Sequence, residues 1–226
     1  MTVTSLLDRP MYGMSQVDRL LSLRSGTAVR WIDGYTRNGH QYPPIVRPLR
    51  TCSLIATWGE FVETRLLSEY RNLGVPMTRL REVVQRLRTE LQLDYPLANI
   101  KPFVIGRELV AAVQDEVDLE PELRLVVLRT RQYVLTPSAQ QFYDAVDWDP
   151  DSGTATSFAP SKKTPRVEIN PLIAFGEPAV EAVRTSTVAE EYRAGETIDG
   201  ISRSYGLAVE EVEDALRFEQ LVQSAA

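Results

Sequence analysis

Two short amphipathic segments follow one another between residues 14 and 35, with about three residues between them, and this spacing constrains the fold more than any bulk property. Ser15 is a candidate N-cap, with Asp18 three residues on in the manner of a short capping box. Val17, Leu20 and Leu21 fall on one helical face. Ser22, Leu23 and Arg24 form a tight break. Ser25 then opens a second helix reaching about Tyr35, with Ala28, Val29 and Ile32 inward. The pattern is that of a helix-turn-helix.

Gly34, Asn38 and Gly39 end the second helix, and the prolines after Tyr42 predict an extended stretch over 42–46. With Arg47 and Arg50 beside it, this stretch is a candidate wing. A longer helix is predicted over 54–72, burying Phe61, Val62, Leu66, Leu67 and Tyr70, and another over 78–91, burying Leu80, Val83, Val84 and Leu87. The period then changes. Residues 103–105, 109–113, 125–128 and 133–135 read as strands, and 138–146 as a short helix. The turn formers of 147–165 predict a linker. A strand at 166–169 and short helices at 187–193, 198–205 and 209–222 complete the chain. The expected class is mainly α with a small β component (α+β). The expected units are a head (1–100), a strand-containing connector (101–165) and a three-helix tail (166–226).

Charge divides the chain in the same way. Residues 1–107 carry 15 Lys and Arg against 9 Asp and Glu, whereas residues 108–226 carry 10 against 22. A basic half suits a polyanion, and an acidic half a different partner. Thr27 and Arg30, on the outer side of the second predicted helix, are candidates for base contact. Arg24, Ser25, Arg37, His40, Arg47 and Arg50 supply donors suited to phosphate oxygens. The N-terminus of that helix is itself a candidate phosphate site.

Other chemistries find little support. The one cysteine (Cys52) and one histidine (His40) argue against a structural zinc site, a disulfide and a His-based catalytic centre. The carboxylates of 108–122 lack metal-loop spacing, and Asp147, Asp149 and Asp151 are better explained by turn chemistry. Phosphate-binding glycine motifs are absent. No apolar run is long enough to span a bilayer, and no signal peptide is visible, so the cytoplasm is the expected location. Trp31 and Trp58 read as packing residues. The last helix sets Glu210, Glu211, Glu213, Asp214 and Glu219 on an acidic outer face, while its apolar side, Val209, Val212, Leu216 and Leu221, either packs the small domain or meets a partner. No catalytic residue, metal or cofactor is expected, and the chain does not read as an enzyme.

Two segments resemble known families. Residues 14–92 resemble MerR-like winged helix-turn-helix heads, with Asp18 where a small residue is usual and Ser22 where the turn glycine is usual. Ile169-Asn170-Pro171, Phe175-Gly176-Glu177-Pro178-Ala179-Val180, Arg193-Ala194-Gly195-Glu196 and Leu216-Arg217-Phe218 resemble the small trihelical domain of certain antitoxins. In this order the two segments are similar to one branch of VapB-type antitoxins, especially its mycobacterial members. The resemblance implies a PIN-domain, metal-dependent ribonuclease toxin as partner and repression of the shared operon through operator DNA. One recognition helix reads few base pairs, so a homodimer is expected, with its contact in the helices of 54–91. An acidic half suits the basic rim of such a nuclease, so toxin contact is expected in residues 170–226 together with the 147–165 linker, with Val209, Val212, Leu216, Phe218 and Leu221 as candidates, or equally through the strand region at 100–135. The alternative is a MerR-like transcription regulator whose second half senses a small molecule in an apolar pocket within 100–146.

Overall fold

Glycine, proline and asparagine cut the chain into short elements. A computed structural model describes residues 5–72, 76–100, 107–116, 124, 126–129, 132–135 and 137–225. In chain order these form β1 (Pro10–Gly13), α1 (Met14–Leu20), α2 (Thr27–Ile32), β2 (Tyr35–Arg37), β3 (His40–Tyr42), β4 (Ile55–Thr57), α3 (Trp58–Asn72) and α4 (Met77–Leu91). Then come α5 (Arg107–Glu116), β5 (Val126–Arg129), β6 (Gln132–Leu135), α6 (Pro137–Asp144), β7 (Val146–Trp148) and β8 (Ala155–Phe158). The C-terminal part holds β9 (Ala179–Val180), β10 (Val183–Arg184), α7 (Thr185–Arg193), α8 (Ile198–Tyr205) and α9 (Val209–Ala225). The fold is α+β, with helices dominant and strands paired as small antiparallel ribbons: β1–β4, β2–β3, β5–β6, β7–β8 and β9–β10.

The core is built around α3. Trp58, Phe61, Val62, Leu66, Leu67 and Tyr70 are buried, and so are Glu60, Glu63, Thr64 and Ser68 from its other faces. Of the expected 54–91 contact, α3 leaves only Arg65, Glu69 and Arg71 accessible among its described side chains. Tyr12 of β1 stacks near Phe61, their centroids 4.3 Å apart, and Phe158 of β8 lies 5.6 Å from Trp58. The Trp58 indole N–H donates to the Ala155 carbonyl at 2.7 Å. Elements far apart in the sequence therefore close on one helix, and buried side chains from Leu7 to Val222 join in one cluster.

Three expectations change. Residues 109–113 belong to α5 rather than to a strand, because a run of five apolar residues has no period of its own and Ala111 and Ala112 favour helix. Residues 147–165 are not a free linker: β7 and β8 form a hairpin that buries Ala155, Ser157 and Phe158. Its turn is held by the Asp149 carboxylate, which accepts from the Asp151 and Ser152 amides. The 166–169 strand is reduced to isolated bridges: Phe158 to Ile169, which ties the C-terminal part to the hairpin, and Glu168 to Ala179 within that part. The strand expected at 103–105 lies outside the described residues. Strands at 126–129 and 132–135, and the three C-terminal helices, are where the sequence puts them within a few residues.

Candidate functional site

Ser15 does not cap α1; it lies inside the helix, whose N-cap is Gly13. Asp18, also inside α1, caps α2 instead. Its carboxylate accepts the Gly26 amide and the Ala28 amide, each at 2.7 Å, while the Thr27 amide donates to the Arg24 carbonyl. The α2 N-terminus is thereby filled, so the expected phosphate site on those amides is closed. Carboxylate and helix end meet with favourable charge. The residue that departs from the MerR-like pattern has taken over the turn: buried, it fixes α2 against α1.

A tight hairpin follows. Asn38 and Gly39 both adopt left-handed backbone, with φ of 51° and 75°, which is the conformation a two-residue turn between twisted strands requires. Tyr35 and Tyr42 stack across it with centroids 4.6 Å apart, and Arg37 faces His40 at its tip. The projecting element is therefore residues 35–42. The expected wing at 42–46 turns inward: the Ile45 and Val46 amides donate to the Trp31 carbonyl, and both side chains are buried.

Arg47 is a correction to the expected phosphate contacts. It is 5% exposed, and its guanidinium donates to Glu60 Oε1 at 2.6 Å, Asp33 Oδ1 at 2.7 Å, Thr51 Oγ1 at 2.6 Å and the Ile55 carbonyl at 2.8 Å. Asp33 also accepts the Thr51 and Cys52 amides. Burial would raise the Asp33 pKa, but the hydrogen bonds from Thr51, Arg47 and Cys52 outweigh it and hold the carboxyl below its usual range. This knot joins the end of α2 to the start of α3 and so carries the hairpin.

The remaining candidates are at the surface. Arg24, Ser25, Arg30, Arg37, His40 and Arg50 are exposed, and Thr27 is half-buried. Arg19, exposed in the last turn of α1, adds a cation outside the expected set. It was legible as a polar position among Val17, Leu20 and Leu21.

In the C-terminal part, the apolar side of α9 faces inward. Val212 and Phe218 are buried, which withdraws them as partner contacts; Leu216 and Leu221 are half-buried, and Val209 is exposed. Asp214 is not on an outer face either: it is 2% exposed and pairs with Arg217 at 2.7 Å and Arg166 at 3.4 Å. An open groove of about 720 Å³ is lined by Tyr192, Glu196, Ile198, Asp199, Val209 and Glu213. Another of about 520 Å³, lined by residues of both charges including Arg65, Asp147, Lys162 and Glu168, touches the 100–146 region at Asp144.

The sequence gives no warning of the loop before β9. Leu172 and Phe175 are strongly exposed there, while Gly176 is buried. Ala174, Phe175 and Gly176 are successive left-handed residues, with φ of 49°, 58° and 78°. The loop is pinned to the head: Tyr12 donates to the Gly176 carbonyl at 2.8 Å, Gln16 to Glu177 at 2.8 Å and Arg9 to the Pro171 carbonyl at 3.2 Å. The Arg184 guanidinium lies over the Phe175 ring, 5.3 Å from its centroid.

Among the described residues no group of three or more His, Cys, Asp or Glu could hold a metal ion, and no helix is long and apolar enough to cross a membrane.

Residues 167–218 match the family described as protein of unknown function DUF433. The crystal structure of Rv2018 from Mycobacterium tuberculosis superposes with a TM-score of 0.76 over 94% of this chain and 100% of that one, at 24% identity, and so shares the fold. A Mycobacterium tuberculosis protein named as a candidate antitoxin, VapB45, is 24% identical over 232 residues, which span 92% of this chain and 93% of that protein. Rv2308 of the same organism, named as an uncharacterized protein, is 36% identical over 223 residues, 96% of this chain and 93% of its own. Likeness of that degree along nearly the whole of both sequences makes this chain a member of the Rv2308 family.

Proposed function

We propose that this chain is the antitoxin of a type II toxin–antitoxin module. It binds and silences a PIN-domain ribonuclease and represses its own operon by holding operator DNA. The observation that carries this reading is the likeness to VapB45 across both the head and the tail, rather than in one shared module. On this reading the chain is a binding protein and not an enzyme.

The head supports the DNA half of the proposal. Arg30 and Thr27 stand on α2, Arg24 and Ser25 at its entrance, and Arg37, His40 and Arg50 on and beyond the hairpin. This is a helix with a projecting ribbon and exposed donors, suited to base edges and phosphates. A single short recognition helix reads few base pairs, so a homodimer on a two-fold operator is part of the proposal. The acidic C-terminal half is left for the toxin.

The test is co-expression with the product of the adjacent gene, then RNA cleavage by that product with and without this chain, and a mobility shift on the upstream DNA. A complex that stops cleavage and a salt-sensitive shift support the proposal. Active nuclease in the presence of excess antitoxin overturns it.

A further inference from the structure

The C-terminal part holds an exposed aromatic that its own fold does not need. Phe175 is 83% exposed, although a phenyl ring gains by leaving water. It also has a φ of 58°, a backbone state that disfavours side chains with a Cβ, and Ala174 beside it is in the same state. Two costs therefore fall on one exposed residue.

The loop is not loose. The Gly176 and Glu177 amides donate to the Ile173 and Ala174 carbonyls, and the Leu172 amide donates to Asn170 Oδ1. Gly176 lies where a Cβ would come within 2.5 Å of Met11 Cε and 2.7 Å of Tyr12 Oη, so the turn is pressed against β1. Arg184, which covers the ring, is held by its pairing with Ala179 in the β9–β10 ribbon. An aromatic and an arginine are thus presented on fixed backbone, and both residue types are enriched at protein interfaces. Rigid presentation lowers the ordering cost of binding. In a half of the chain dominated by carboxylates, Arg184 marks one point of opposite charge.

We propose that Phe175, with Arg184 stacked on it and Leu172 in the same loop, is the anchor by which this chain grips its protein partner. The complementary site on that partner is an apolar pocket that takes the ring, with a carboxylate at its rim that meets the guanidinium. This deepens the antitoxin reading and rests on it, since it takes the nuclease as that partner. It also relocates the contact from the inward face of α9 to the loop before β9.

Phe175→Gly and Arg184→Glu test the assignment in the full chain, with the adjacent gene's nuclease as probe. Glycine adopts the left-handed state freely, so Phe175→Gly leaves the melting temperature level or higher. The dissociation constant for the nuclease rises about 30-fold or more, as loss of an interface anchor requires. Arg184→Glu weakens the complex as well, by reversing charge at the rim. The operator shift is unchanged in both variants. Together these results support the proposal. Wild-type chain and both variants binding the nuclease equally would overturn the anchor while leaving the antitoxin reading intact. Failure of the wild-type chain to bind the nuclease overturns that reading, and the anchor with it. If sedimentation shows Phe175→Gly breaking a wild-type dimer while nuclease binding is retained, the surface belongs to a second copy and the proposal is also overturned.

Discussion

Asp18 and Ala28 stand ten residues apart and meet through a 2.7 Å hydrogen bond in which the carboxylate of one helix accepts the amide that opens the next. The turn between α1 and α2 is set by a side chain rather than by a glycine. Replacing Asp18 by Asn leaves an amide group facing one of the two backbone donors. The loss expected is about 1–3 kcal/mol, read as a lower urea midpoint. On the function proposed above, misplacing α2 also narrows the ratio of operator to non-operator affinity. Unchanged midpoint and ratio would show that the carboxylate does not set this turn.

Arg47 and Arg50 are three residues apart and have opposite consequences. Arg47→Met strands Asp33 and Glu60 without their cation, and the cost is about 3–5 kcal/mol. Arg50 is 41% exposed in its side chain, and its 3.6 Å approach to Asp33 adds little stability. Arg50→Ala is expected to spare the fold and lower the salt slope of DNA binding by about one. Chemical denaturation of both variants, with a salt titration of the operator shift for Arg50→Ala, separates the roles. A mild Arg47→Met and a salt slope that Arg50→Ala leaves unmoved would reverse them.

Glu63 provides a pH test of the core. Burial on α3 raises its pKa to about 8, outweighing the Arg88 guanidinium 3.8 Å away and the Leu97 amide that donates to it. A raised carboxyl pKa means that the folded chain holds a proton which the unfolded chain releases. Stability therefore falls as pH rises from about 4.5 to about 8, at up to about 1.4 kcal/mol per pH unit, and levels off above that. Glu63→Gln removes this slope and is the more stable protein at pH 8. Denaturation midpoints at pH 5, 6.5 and 8 check it, and parallel profiles for the two proteins would refute it.

Gly176→Ala places a methyl group against Met11 and Tyr12 on a residue with φ of 78°. Overpacking of this kind costs about 1–3 kcal/mol. Tyr12→Phe, which loses only the hydroxyl that donates to the Gly176 carbonyl, costs about 1 kcal/mol. Melting temperatures of the pair should fall in that order; an unaffected Gly176→Ala would mean that the loop can lift away from β1.

Local signals in the sequence carried most of the elements. Val17, Leu20, Ala28 and Ile32 mark α1 and α2, and the apolar stripe from Phe61 to Tyr70 marks α3, because each is a helical period readable within a few turns. What depends on distant partners was not legible. Arg47 looks like any arginine beside a basic loop until Asp33 and Glu60, 14 and 13 residues away, close on it. Val212 and Phe218 read equally as packing or as a contact surface until α7 and α8 close on α9 and bury them. The 147–165 segment has a linker's composition, yet Phe158 carries it to Trp58. Nothing local tells a phenylalanine that it will sit left-handed in water: Phe175 owes its posture to Gly176 lying under Tyr12, across 164 residues of chain.

The contact between Tyr12 and Gly176 also bears on how such chains can diversify. Strand β1 and the loop before β9 form one surface drawn from opposite ends of the sequence, so the head and tail are not interchangeable cassettes. A hybrid joining the first 165 residues to a relative's tail inherits half of this seam from each parent. Recombinants that keep their own head while taking a relative's tail would have to carry residues 9–16 along with the new tail, or mend the seam by later substitution.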